Sequence, residues 1–87
     1  MERFLLAPEE RARCTRLADA LQVERAKFPK GAKWHTTGPL DSAIKHLREM
    51  AEYGNGGGVL PYTADPVIIA LAAEHEVAIA PSVRTDR

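Results

Sequence analysis

The 87 residues hold a single cysteine, a single tryptophan and a single asparagine. One thiol, Cys14, excludes an internal disulfide and fits a reducing compartment. Aromatics make up only 6% of the chain, so any core must rest on aliphatic side chains. No apolar run approaches the roughly 20 residues that span a bilayer; the longest, Val67–Ala73, is far shorter. The N-terminus lacks a basic stretch followed by an apolar one, so no signal peptide is expected and the cytoplasm is the default. Charge of one sign is also missing: 12 Lys and Arg balance 12 Asp and Glu. The whole-molecule field therefore selects no class of partner.

Hydrophobic residues at 45% and charged residues at 28% are ordinary for a folded protein and argue against disorder. The length allows one domain, residues 1–87, with a thin core and stability on the order of 5 kcal/mol. Ala-richness and Arg outnumbering Lys suggest GC-rich coding, as in a bacterium or its phage.

Charge is unevenly spread. Residues 1–33 carry eight Lys/Arg and five Asp/Glu, a surplus of +3, and residues 34–87 carry four and seven, a deficit of −3. The sharpest local feature is Arg25, Lys27, Lys30 and Lys33, a basic run with no acid between its members.

Apolar spacing predicts three helices. The first begins near Pro8, with Glu9 and Glu10 complementing the dipole, and carries Cys14, Leu17, Ala18, Leu21 and Phe28 at helical spacing. Pro29 disfavours helix at Phe28, so the element ends by Lys27. Residues 29–38 read as a loop. The second helix is expected to start at Pro39 or Asp41, with Leu40, Ala43, Ile44, Leu47, Met50 and Ala51 as its stripe and Gly54 as its stop. Asp65 and Pro66 open the third, whose Val67–Ala73 run is apolar all round, so burial on several faces is expected, by this chain or by another copy. Val59–Tyr62 and Val77–Ala80 suit short strands flanking it. The predicted fold is mainly α: a small three-helix domain with a short two-stranded β-α-β element near the C-terminus.

Cations interleaved with aromatics can hold phosphates while rings stack on bases. Residues 25–37 offer that mix in Arg25, Lys27, Lys30, Lys33, Trp34, His35, Thr36 and Thr37, a phosphate-binding candidate leading into a helix N-terminus. The competing reading makes Phe28 and Trp34 core anchors, leaves the lysines solvated and gives one threonine the capping of helix two. On that helix, Ser42, His46, Glu49 and Tyr53 share a side; a histidine one turn from a glutamate suits a general base, and equally a solvated face. His35, His46, His75 and Cys14 form no close-spaced ligand pair, so no metal or cofactor is expected. His75 suits the negative end of helix three. The Gly-rich stretch 54–58 follows a helix and precedes no Lys-Ser/Thr, so it reads as a flexible linker and not a phosphate cradle.

Residues 59–87 resemble the last third of PIN-type nucleases: an acid near a helix start, an apolar Ala-rich helix, a strand and a polar tail. The resemblance makes Asp65 a metal-holding carboxylate. The family needs further carboxylates, and only Glu2 lies near the other end. The same region resembles a helix-turn-helix reader in Ala72 or Ala73, Val77 and Pro81-Ser82-Val83-Arg84, although Val77 and Val83 stand six apart where that pattern has five. Arg84 and Arg87 are its only cations, against the larger basic footprint of specific DNA binders.

No catalytic constellation assembles from these pieces. The leading expectation is a non-enzymatic module working through protein–protein contact: a bacterial or phage regulator, inhibitor or assembly component, partnered by another protein or by itself as a homo-oligomer. The alternatives are nucleotide or nucleic-acid binding through 25–37, and a degenerate PIN-like or helix-turn-helix-like DNA-associated domain.

Overall fold

The structure, a computed structural model, describes residues 6–54 and 58–81. Its order is α1 (Pro8–Ala26), α2 (Trp34–Tyr53), β1 (Val59–Leu60), α3 (Pro66–Glu74) and β2 (Ala78–Ile79), the small three-helix domain with a parallel two-stranded element that the patterning predicts.

Pro8 occupies the first turn of α1, where its missing N–H costs nothing. The Glu10 carboxylate accepts from the Ala7 N–H at 3.1 Å. Alanine has no side-chain acceptor to complete the exchange, so only half of a capping box forms. Cys14, Leu17, Ala18 and Leu21 are buried, following i, i+3, i+4, i+7. Phe28, beyond the helix end, packs half-buried against the core.

The start of α2 differs from the expectation. Residues 34–38 are helical, not loop, and Pro39 lies inside the helix. The N-cap is Lys33, with no side-chain cap, so neither threonine caps the helix. Thr37 explains the extra turn. It is only 4% exposed, and Thr37, Leu40, Ile44, Leu47 and Ala51 alternate by three and four along one stripe. Burying Thr37 offsets the one hydrogen bond that Pro39 cannot donate. At the far end Gly54 is left-handed (φ 77°), and its N–H donates to the Met50 carbonyl at 2.8 Å.

Three ties run between α1 and α2 in reversed order, making them antiparallel. Arg11 Nε donates to the Ala51 carbonyl at 2.6 Å, Arg48 meets Asp19 at 3.1 Å, and Arg25 meets Asp41 at 2.8 Å. Arg11 also reaches the Glu52 carbonyl at 3.4 Å. A cation thus serves carbonyls that the last turn of α2 leaves without intrahelical donors. Between the helices Leu17, Leu21 and Leu47 are fully covered.

The C-terminal unit is smaller. β1 and β2 pair in parallel, Val59 opposite Ala78 and Leu60 opposite Ile79. Pro61 ends the first strand. α3 forms the crossover and contributes Ile68 and Ala72 to the core, joined there by Leu60 and Val77. It stops in a Schellman arrangement: the Val77 N–H donates to the Ala72 carbonyl at 2.8 Å and the Glu76 N–H to the Ala73 carbonyl at 3.2 Å. Glu76 takes the left-handed position (φ 59°) that glycine usually fills. His75 is the C-cap, at the negative helix end as expected.

Candidate binding surfaces

The basic-aromatic residues meet at the tip of the α1–α2 hairpin, but not as the loop 25–37. Arg25 stands in the last turn of α1, Lys27 caps it, and Trp34 to Thr37 form the first turn of α2. Although no acid interrupts the run in sequence, two of its four cations are paired: Arg25 with Asp41 at 2.8 Å and Lys27 with Glu24 at 3.0 Å. Among the described residues no ion pair engages Lys30 or Lys33, and both are exposed. Thr37 faces the core and is withdrawn from any ligand. His35 is exposed, its ring edge-on to Trp34 at 6.2 Å.

Trp34 is 80% exposed, which overturns its reading as a core anchor. With α2 beginning at residue 34, Trp34 falls on the outward side of the wheel with Gly38, Lys45 and Glu49. A Cβ on Gly38 would sit 3.6 Å from the indole, so the ring lies back along its own helix.

A groove of about 260 Å³ separates α2 from the segment leading into α3. Pro39, Ala43, Leu60, Pro61 and Ile68 give it apolar walls, and Ser42, His46, Tyr62 and Thr63 bring polar groups. No lining residue is Lys, Arg, Asp or Glu. His46 Nδ1 lies 2.9 Å from the Ser42 carbonyl. A carbonyl can only accept, so Nδ1 carries the proton and a neutral ring keeps Nε2 as an acceptor. Thr63 Oγ1 accepts from the Asp65 N–H at 3.1 Å, which leaves its own proton to donate. Sequence reading grouped Ser42 and His46 but missed Tyr62 and Thr63; the signal was Pro61, which turns the chain out of β1 toward α2. Glu49 and Tyr53 do not line the groove.

The outward face of α3 is the third surface. Val67 and Ile69 are 40% and 45% exposed, and Ala70 and Ala73 are exposed beside them. This chain buries only one side of a helix whose sequence called for cover on several.

Asp65 is the N-cap of α3. Its carboxylate accepts from the Val67 N–H at 2.9 Å and the Ile68 N–H at 3.3 Å. Among the described residues no group of three His, Cys, Asp or Glu gathers as a metal site; Glu2 lies outside them. Where the helix-turn-helix likeness puts a turn after Val77, the chain extends as β2, and Ser82, Val83, Arg84 and Arg87 lie outside the described residues. So does Asn55–Gly57, the centre of the Gly-rich stretch. No described helix is long and apolar enough to cross a membrane.

Cys14 is buried, and loss of hydration raises its thiol pKa above the usual value; Arg13 opposes the rise and Glu10 adds to it.

In class, the molecule is a small α-rich domain with a β-α-β appendage and exposed apolar surface. No family model, curated protein or solved structure matches the chain.

Proposed function

We propose that the chain is a non-enzymatic docking module that acts through protein–protein contact and pairs with a second copy of itself, in the manner of a small regulator, inhibitor or assembly component. The observation that carries this reading is the outward face of α3. A nine-residue helix turns Val67, Ile69, Ala70 and Ala73 to solvent and bears one charge, Glu74 at its end. An isologous contact sets the same patch against itself, where charged groups would meet their own kind. A face with almost no charge suits that arrangement.

Sedimentation equilibrium from low micromolar to millimolar concentration tests it. The expected result is a concentration-dependent doubling of mass that Ile69→Lys abolishes while circular dichroism stays unchanged. A native chain that remains monomeric, or pairing that ignores Ile69→Lys, ends the α3 reading.

A nucleotide or nucleic-acid reading of the hairpin tip keeps one observation in its favour, the solvent-facing indole of Trp34 within four residues in sequence of the exposed Lys30 and Lys33. It has lost Arg25 and Lys27 to ion pairs and Thr37 to the core. Binding of an oligonucleotide that falls steeply with salt and with Lys30→Glu/Lys33→Glu supports it; binding indifferent to salt removes it.

A further inference from the structure

We infer that the groove between α2 and the 60–63 segment receives Trp34 of a second copy of this chain. The inference rests on the self-pairing reading above and extends it from α3 to α2.

Size comes first. A stable interface covers about 800 Å² on each partner. A nine-residue helix is roughly 13 Å long, and one face of it falls well short of that area. The rest must come from other surface, and the groove's lining includes Ile68 on the covered side of α3. At about 260 Å³ it lies below the roughly 300 Å³ at which pockets for drug-sized ligands begin. It has room for one large side chain.

Chemistry narrows the occupant. With apolar walls, no Lys, Arg, Asp or Glu in its lining and a histidine whose Nε2 accepts when the ring is neutral, the groove fits a neutral aromatic body carrying one hydrogen-bond donor. An indole has that description: a ring with a single N–H and no acceptor. Trp34 is the one tryptophan in the chain and is 80% exposed. Exposed tryptophans inserted into closed apolar pockets are the residue type that dominates interface energies.

Trp34 does not fill its own groove. Its ring lies over Gly38 on the outward side of α2, and Trp34 is not among the residues that line the cavity. Two α2 helices laid antiparallel resolve this. The tip of each then lies along the 42–46 segment of the other, an arrangement that closes as a dimer because each copy gives a ring and receives one.

Charge follows the same geometry. The tip carries Lys30 and Lys33, which no ion pair engages among the described residues, and the turn it meets carries Glu49, while Arg48 there is held by Asp19. Lys45 works against the pairing.

The lone tryptophan makes the test direct. In a dilution series of the full chain, Trp34 emission should move from that of a solvated indole to the blue, with the same midpoint as the mass doubling. Ser42→Phe fills the groove from an exposed position; it should leave the emission solvated and weaken pairing by roughly thirtyfold or more. Trp34→Ala, followed by sedimentation, should do the same. Mixing the two variants should restore a heterodimer, since one supplies the ring and the other the open groove. Pairing that persists in Trp34→Ala, or mass doubling without an emission shift, overturns this inference and leaves the α3 reading standing. A chain monomeric throughout removes both. Emission that moves on adding a dT oligonucleotide, and not with protein concentration, assigns Trp34 to nucleic acid instead.

Discussion

The helices of the α1–α2 hairpin are charged over much of their surface and that of the β1–α3–β2 unit bears a single charge, yet the hairpin is closed and the more apolar unit is half open. In the hairpin each apolar stripe has a facing stripe, and each end is tied: Arg11 to the α2 carbonyls at one end, Arg25 to Asp41 at the other. In the C-terminal unit two residues per strand and one face of a nine-residue helix do all the joining. Cover is set by how many elements surround a helix, not by how apolar it is. Among the described residues, two other helices and a two-stranded ribbon are too few to surround α3.

Breaking the closed region should cost most. Leu47→Ala removes a fully buried side chain and is expected to cost about 2–5 kcal/mol, enough to unfold much of the population; a urea transition read by circular dichroism measures it. A loss under about 1 kcal/mol would show the hairpin to be looser than its burial implies. Asp65→Ala strips two N–H bonds from the start of α3 and should cost about 1 kcal/mol, with faster amide exchange at Val67 and Ile68 than in the hairpin. Equal acceleration in α1 would erase the distinction between the two regions. Arg11→Met keeps the stem but removes the donors to Ala51 and Glu52; because the arginine is exposed, about 0.5–1 kcal/mol is expected in a thermal melt. Glu76→Gly should go the other way and stabilise by about 0.5 kcal/mol, because glycine takes the left-handed position without side-chain strain.

Cys14 supplies a chemical check on the hairpin. Burial lifts its pKa, so the neutral thiol contributes fully below the unfolded-state value and progressively less as pH rises through the lifted one. Stability should therefore fall on the alkaline side, and less so in Cys14→Ala. Alkylation of the folded chain should also be slow, with a rate that follows unfolding.

What could be read from the residues followed their periodicity. Leu17, Leu21, Ile44 and Leu47 announced both hairpin helices, and Asp65-Pro66 announced the third. Val59 and Ala78 lie in strands shorter than the apolar runs suggested because Pro61 cuts the ladder. The start of α2 was hidden. Thr37 is polar and so drops out of an apolar stripe, while Pro39 imitates a helix beginning. That single boundary concealed the exposure of Trp34, since the outward side of a wheel is defined only once the helix includes it. The groove was illegible for another reason: Ser42 and Thr63 are separated by 20 intervening residues, and only the tertiary fold makes them line one cavity. Ion pairs such as Arg25–Asp41 join residues 16 apart in sequence, which no local charge count reveals.

Pro39 has a mechanical consequence. With no N–H, it leaves the His35 carbonyl without its rung, so the opening turn of α2 hangs from the rest of the helix by one bond fewer than its length implies. Thr37 pins that turn on its inner side only. The indole is therefore carried by a turn with fewer internal bonds than the turns that follow it.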